Sequence, residues 1–265
     1  MDRRGADRWD GRAVTDLRGR TALVTGGGSG LGAAIATSLH AAGADLVLVG
    51  RDERRLDAVR DRLGSRTRTA VCDVATPASV DELRDALADT EVSILVNNAG
   101  VPGPVAALTD IEPADWDEVF AVNVRGTYLL CRAFLPGMTA RGDGDVVNIA
   151  SVSGKRPLAH RTPYCASKMA VIGLTSTLAF EVGPAGVRVN TLSPGPVSGP
   201  RMERNFRLEA ERSGASVEAA EAAFVSRAAL GRMVTEEEVG AAVLAMLAMP
   251  GLCGSDVDLS AGMIA

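Results

Sequence analysis

Thr21-Ala22-Leu23-Val24-Thr25-Gly26-Gly27-Gly28-Ser29-Gly30-Leu31-Gly32 is the stretch that decides the fold. Residues 21–25 form a short apolar run without helical period, which reads as a buried strand, and they flow directly into a glycine-rich turn. From 31 to 42 the residues are strong helix formers. The turn therefore delivers the chain to a helix N-terminus, where free N–H groups and the helix dipole attract an anion. Glycine is required there because backbone must approach the ligand closely. A plain tight turn explains many glycine clusters, but one set between a strand and a helix points to the pyrophosphate of a dinucleotide.

Working outward, a second strand over 46–49 completes a strand-helix-strand unit of the kind used to bind dinucleotides and ends at Gly50-Arg51-Asp52. The alternation continues with a helix over 53–63, a strand over 69–72, a helix over 77–88 and a strand over 92–96. Strands alternating with helices imply an α/β chain: one domain with a doubly wound, Rossmann-like parallel sheet and helices on both faces. Ligands bind such sheets at the carboxyl ends of the strands. Asp73 directly follows the third strand, and Asn97-Asn98-Ala99-Gly100 begins where the fourth ends.

Residues 116–139 read as one long helix with Asn123 and Gly126 inside it, where an asparagine beside a glycine marks either a harmless polar position or a local distortion that frees a carbonyl. Gly142-Asp143-Gly144-Asp145 turns into a strand over 146–150, and Ser151 sits at its end. A helix over 164–182, a strand over 187–192 stopped by Ser193-Pro194-Gly195-Pro196, a helix over 236–249 and a last strand over 257–259 follow. Thr235, three residues before Glu238, is a capping-box pattern. Between them a substrate flap near 196–221 is charged and irregular, and its stretch 200–221 reads as a mobile flap or as two short amphipathic helices. Residues 1–17, rich in Arg, Asp and Gly, read as a mobile N-terminal tail ahead of a domain spanning 18–265.

A formal charge of −5 without a long basic run argues against a nucleic-acid surface. The four cysteines are scattered with no C-x-x-C, which suggests neither zinc nor disulfides but thiols of a reducing cytoplasm. Two histidines are too few for a His-rich metal cluster. The longest uninterrupted apolar run, 241–249, is too short to cross a bilayer, so no membrane segment is expected.

Tyr164 and Lys168 stand four residues apart, on one face if that stretch is helical. A phenol titrates near pKa ~10, and an adjacent cation favours the phenolate. Tyr-x-x-x-Lys is therefore a tunable acid–base device, unless it is only a tyrosine at a helix start beside a solvated lysine. Ser151 is either a turn residue or a hydrogen-bond donor to a substrate oxygen.

Together these residues resemble the short-chain dehydrogenase/reductase (SDR) family from residue 18 onward. Thr25-Gly26-x-x-x-Gly30-x-Gly32 is similar to that family's cofactor loop, which implies cofactor contacts for Gly26, Gly28, Ser29, Gly30, Leu31 and Gly32. Asp73, with Val74, matches its adenine contact, and Asn97-Asn98-Ala99-Gly100 its sheet-stabilising motif, with Asn98, Ala99 and Gly100 at the cofactor. Pro194-Gly195, with Val197 and Ser198, matches the turn beside the nicotinamide. Asn123, Ser151, Tyr164 and Lys168 match the catalytic tetrad in identity and spacing.

The resemblance implies an oxidoreductase that interconverts a ketone and a secondary alcohol by hydride transfer. In it Ser151 holds the substrate oxygen, Tyr164 is the acid or base, Lys168 binds ribose and tunes the phenol, and Asn123 links the lysine to solvent through a water. No metal is needed. Two departures stand out: Ser198 replaces the usual threonine, and the C-terminal glycine pair is reduced to Ala261-Gly262. A rival reading is a non-catalytic, cofactor-sensing protein on the same scaffold. A sugar-nucleotide epimerase would need more residues after 192 than this chain has.

NADP(H) is expected over NAD(H), because Gly50 stands where NAD-dependent relatives place Asp and Arg51 follows it, although Asp52 could reach a 2′-hydroxyl instead. The substrate is a small carbonyl or alcohol, with Ser153, His160, Arg161 and Arg201 as candidate contacts. The helices over 116–139 and 164–182 are expected to pair with symmetry mates in a homotetramer.

Overall fold

Strand β1 (Thr21–Thr25) pairs in parallel with β2 (Asp45–Gly50) on one side and with β4 (Val92–Asn97) on the other, so the strand that feeds the glycine turn lies inside the sheet. The structure, a computed structural model, describes residues 16–156 and 158–263, without the side chains of residues 200, 201, 208 and 212. Strands β3 (Thr67–Val71), β5 (Gly144–Ile149), β6 (Val187–Pro194) and β7 (Asp256–Leu259) complete a parallel sheet of order β3-β2-β1-β4-β5-β6-β7. The order reverses between β1 and β4, and doubly wound sheets place their ligand crevice at such a switch point.

Successive strand residues point to opposite faces, and the apolar positions follow that period. Ala22, Val24, Leu46, Leu48, Ile94 and Val96 enter one core, where α1 (Gly30–Ala41), α2 (Glu53–Leu63) and α9 (Glu236–Leu247) pack. Leu23, Val47, Val49, Leu95, Val146 and Val189 enter the other. That second core is closed by α3 (Pro77–Ala86), α5 (Gly126–Arg141) and α6 (Thr162–Val182). The capping box at the start of α9 is present in both directions between Thr235 and Glu238.

Several boundaries differ from the sequence reading, each for a tertiary reason. The stretch read as one helix over 116–139 is α4 (Pro113–Phe120), a π-helical segment Ala121–Arg125 and then α5, so the distortion near Asn123 is a register change. Strand β5 starts at Gly144, and Asp145, which reads as a turn residue, is a buried strand residue. Arg20 Nη1 donates to its Oδ2 at 2.8 Å, and Arg188 Nη2 lies 2.7 Å from its Oδ1. Strand β6 continues through Ser193 and Pro194 because β7 pairs with it there. The stretch 200–221 holds two helices, α7 (Pro200–Ser213) and α8 (Val217–Val225).

Leu17, placed by the sequence at the end of a tail, is buried, and its N–H donates to Ala42 O at 2.8 Å; the rest of that tail up to residue 15 lies outside the described residues. Among the described residues one helical stretch, Thr162–Ala185, is long and apolar enough to cross a membrane. A search for uninterrupted apolar runs misses it because Lys168 and several Ser and Thr residues break the run. Its buried residues, Lys168 among them, face the sheet.

Candidate active site

The carboxyl ends of β1, β4, β5 and β6 carry the residues the sequence singled out. At the end of β1, Gly26 has φ +66°, and a β-carbon on it would stand 2.8 Å from Asn98 Nδ2. A β-carbon on Gly32 would lie 2.1 Å from Gly26 O, so α1 can approach the strand this closely only with glycine. Ser29 precedes α1 without capping it through its side chain, which leaves the first N–H groups of α1, including those of Leu31 and Gly32, for an anion. An open glycine cradle at an uncapped helix start fits a dinucleotide pyrophosphate.

Thr25 clamps the end of β4 to the end of β1. Its Oγ1 accepts from the N–H groups of Asn98 and Ala99, both at 3.0 Å, while Asn98 Nδ2 donates to Thr25 O at 2.9 Å. Deeper in the sheet, Asn97 Nδ2 donates to Asn148 Oδ1 at 2.8 Å, and Asn148 Nδ2 to Thr175 Oγ1 at 2.8 Å on α6. These amides tie the cofactor side of the sheet to the helix that carries Tyr164.

On α6, Lys168 Nζ donates to Ile149 O at 2.8 Å and lies 5.8 Å from the centroid of the Tyr164 ring. Arg161 Cζ lies 5.4 Å from the same centroid, so two cations flank one phenol ring at cation–π range. Ser151 follows β5 directly. Its hydroxyl accepts from Ser153 N–H at 3.2 Å and makes a long 3.5 Å contact to Pro194 O. A β-carbon on Gly100 would come within 3.1 Å of Asn123 Oδ1 and 3.5 Å of Lys168 Nζ. Glycine there keeps room for both.

Asn123 sits in the π segment with its side chain fully engaged. Oδ1 accepts from Val101 N–H at 2.8 Å, and Nδ2 donates to Val101 O and to Ser167 Oγ, both at 3.0 Å. Ser167 Oγ in turn donates to Tyr164 O at 2.8 Å. The amide therefore joins the loop after β4 to the start of α6, while the Asn123 carbonyl accepts from Thr127 Oγ1 at 2.9 Å.

The remaining cofactor candidates follow the carboxyl ends of β2, β3 and β6 or lie in the glycine turn. Asp73 closes a tight turn, its Oδ1 accepting from Ala75 N–H at 3.0 Å, and Val74 is buried against Gly126. Gly195 N–H donates to Leu259 O at 2.7 Å, Val197 bridges to Val234, and Ser198 N–H donates to Val234 O at 2.8 Å. Gly28 lies against Arg55, and Gly30 opens α1. Arg51 is exposed at the end of β2, whereas Asp52 caps α2 by accepting from Arg55 N–H at 3.2 Å.

Of the substrate candidates, Ser153 and Arg161 reach the Ser151–Tyr164 region. His160 is exposed with φ +62°, its carbonyl accepting from Ala106 N–H at 3.1 Å. The Arg201 side chain lies outside the described residues.

Residues 20–211 match the short chain dehydrogenase family. The chain is a short-chain dehydrogenase. Among its relatives, D-threitol dehydrogenase of Mycolicibacterium smegmatis is 42% identical over 183 residues, covering 67% of this chain and 70% of the relative. An NAD+-bound xylitol dehydrogenase structure superposes with a TM-score of 0.86 at 27% identity, over 93% of this chain and 99% of the other. An actinorhodin polyketide ketoreductase with NADPH does so with a TM-score of 0.86 at 32% identity, over 92% and 97%. This short-chain dehydrogenase is accordingly an NAD(P)-dependent oxidoreductase that interconverts ketones and secondary alcohols.

The sequence did not reveal Lys155 and Arg156, which tie the loop after Ser151 to the far edge of the dehydrogenase's sheet. Lys155 Nζ lies 2.5 Å from Asp256 Oδ2 and also bonds Asp258; Arg156 contacts Asp258 and the Met263 carbonyl. Asp256 Oδ1 accepts from Ser193 Oγ at 2.6 Å. The available signal was Asp256-x-Asp258, whose period of two puts both carboxylates on one face of β7.

Proposed function

We propose that Ser151, Tyr164 and Lys168 carry the proton chemistry of this oxidoreductase, with Asn123 positioning them. The observation that carries the reading is the placement of Lys168 Nζ, 5.8 Å from the Tyr164 ring and 2.8 Å from Ile149 O, two residues before Ser151. Nicotinamide, when bound, supplies or accepts the hydride. The Ser151 hydroxyl holds the substrate oxygen, and Tyr164 gives that oxygen a proton in reduction or takes one in oxidation. Lys168 holds the ribose hydroxyls and keeps a positive charge beside the phenol, which stabilises the phenolate left by proton transfer. Asn123 holds Val101 and Ser167 so that the first turn of α6 stays in register with the end of β4.

The glycine turn, Asp73 with Val74, and the Pro194–Ser198 turn would hold the cofactor. NADP(H) is preferred over NAD(H): Arg51 is exposed at the end of β2, and the engagement of Asp52 in capping α2 supports Arg51 as the partner of a 2′-phosphate. The substrate is a small carbonyl or alcohol, and the similarity to threitol and xylitol dehydrogenases supports a hydroxylated one. It meets Ser153 and Arg161 beside Ser151 and Tyr164, under the segment 196–221.

The enzyme works in the cytoplasm as a homotetramer. A groove of about 900 Å3 along the face that runs from α4 through the π segment into α5, bordered by Asp117, Phe120, Val124 and Tyr128, supports the assembly, as does α6, whose Phe180 is 84% exposed.

The deciding experiment is Tyr164→Phe. Turnover is expected to vanish while the cofactor Kd, read by titration calorimetry, stays within about twofold; retention of a large part of the rate overturns the assignment.

A further inference from the structure

A second groove, of about 550 Å3, opens beside the glycine turn between α1, α2 and the first turn of α9. Gly28, Ser29 and Gly30 form its floor, Arg55 and Arg62 of α2 one wall, and Glu236 and Glu237 of α9 the other. The capping box of α9 uses Thr235 and Glu238, so Glu236 is not needed to close that helix end. Its carboxylate turns toward the cofactor turn instead. A β-carbon on Gly30 would lie 3.7 Å from Glu236 Oε1, and one on Gly199, the residue that opens α7, would lie 3.6 Å from it. Oε1 thus sits between the start of α1, where the glycine turn would receive an anion, and Gly199, the N-cap of α7.

We propose that Glu236 is an affinity determinant for the cofactor: its carboxylate opposes the pyrophosphate at the glycine turn, so the enzyme holds its dinucleotide more weakly when Glu236 is charged. The inference rests on the reading of that turn as the cofactor site. Burial pushes the Glu236 carboxyl above its ordinary range, and the neighbouring Glu237 adds to this. The neutral form is therefore populated at higher pH than for a free glutamate, and affinity is expected to fall as pH rises through that range.

Other charges facing the groove do not cancel the effect. Arg55 is paired with Asp52 at 3.2 Å, Glu237 is exposed on the same helix, and Arg62 lies two turns along α2 from Arg55. The groove-lining residues of α1, which include Thr37 and Ser38, are uncharged, and Glu238 is held by Arg232 at 2.6 Å. From the first turn of α7 comes Glu203, which is exposed and adds negative charge.

A competing account is that Glu236, in the first turn of α9, only favours that helix through its dipole. It predicts a small loss of stability on neutralisation and no change in cofactor binding. Titration calorimetry with NAD+ and with NADP+, between about pH 4.5 and pH 8, separates the two for the wild type, Glu236→Gln and Glu237→Gln.

The wild-type Kd is expected to rise with pH. Glu236→Gln is expected to bind both cofactors about threefold to tenfold more tightly at pH 8, with a flattened profile, the size of effect expected for two nearby like charges in a wet cleft. Glu237→Gln keeps the wild-type slope. Glu236→Gln with wild-type Kd values and slope overturns the inference. Absence of cofactor binding to the wild type at every pH overturns the reading of the glycine turn instead.

Discussion

Lys155 Nζ stands 2.5 Å from Asp256 Oδ2, which joins the loop after the Ser151 position to the edge strand of the sheet, about a hundred residues further along the chain. Asp256 and Asp258 would repel each other on one face of β7 without that ammonium. Burial alone draws the Lys155 pKa down, but its hydrogen bonds to Asp256 and Asp258 outweigh this and raise it. A raised lysine contributes fully at neutral pH and loses its contribution only as pH climbs through the raised value, so the tie persists across the working range. Lys155→Met is expected to raise substrate KM about fivefold with cofactor Kd unchanged, because the pair is partly exposed and worth about 1 kcal/mol. Steady-state kinetics and calorimetry check this, and an unchanged KM contradicts it.

Arg51 offers the cleanest test of cofactor preference. Arg51→Ala is expected to weaken NADPH about 10- to 100-fold, the worth of a charge-assisted phosphate contact, and to leave NADH almost untouched. Fluorescence titration with both cofactors reads the outcome. An equal effect on the two, or a wild-type preference for NADH, would show that the turn after β2 has another role.

The Asn97–Asn148–Thr175 chain should behave as a unit. Asn148→Leu removes one acceptor and one donor from a fully buried site and is expected to cost about 1–3 kcal/mol, read as a lower urea midpoint with an unchanged slope. Asn97→Leu together with Asn148→Leu should cost less than the sum of the single changes, since each alone leaves the other amide short of a partner. Strict additivity would argue that the amides are independent. Cys131 lies beside them, its thiol pushed up to about 12 by burial against the opposing hydrogen bond from Asn97, so it should stay unmodified by iodoacetamide in the native protein.

Glu238 gives a signature in acid. The hydrogen bond from Arg232, joined by that from Thr235 N–H, lowers its pKa to about 2. A depressed carboxylate contributes stability above its unfolded value and loses it as pH falls through the folded one, here from about 4.5 down to about 2. Glu238→Gln should therefore melt lower than the wild type at neutral pH, with the gap narrowing toward pH 2. Thermal melts across that window test it, and a constant gap would mean that the contribution is not ionic.

How much was readable depended on how local the cause was. The strand-turn-helix from Thr21 to Ala41 and the helix Glu53–Leu63 declare themselves through apolar runs, glycines and helix-forming residues within a few positions of one another, whereas Asp52, read as a possible ribose contact, caps that second helix. Asp145 could not be placed because a charged residue directly after Gly142-Asp143-Gly144 looks like part of a turn until Arg20 and Arg188 converge on it. Asn123 was visible as an irregularity, but its grip on Val101 and Ser167 depends on two other segments. Glu236 gave no signal, and the one hint of the Lys155 tie, Asp256-x-Asp258, names no partner. The partners of Lys155 and Glu236, Asp256 and Gly30, are distant in sequence, and no local pattern links them.

The π-helical segment fixes something other than residue identity. A deletion of one residue between Ala121 and Arg125 would restore an ordinary helix with its flanking faces still in phase, because a π turn takes up one extra residue, yet it would remove the widened turn that carries Asn123. Gly126, where a β-carbon would already come within 2.9 Å of Val74, would keep its slot, but Asn123 would be drawn away from Val101 and Ser167. Chain length here is thus a quantised parameter. Insertions and deletions compatible with the fold belong in the exposed connections around α7 and α8, whereas the residue count from Pro113 to Arg141 is expected to stay invariant even where the amino acids drift.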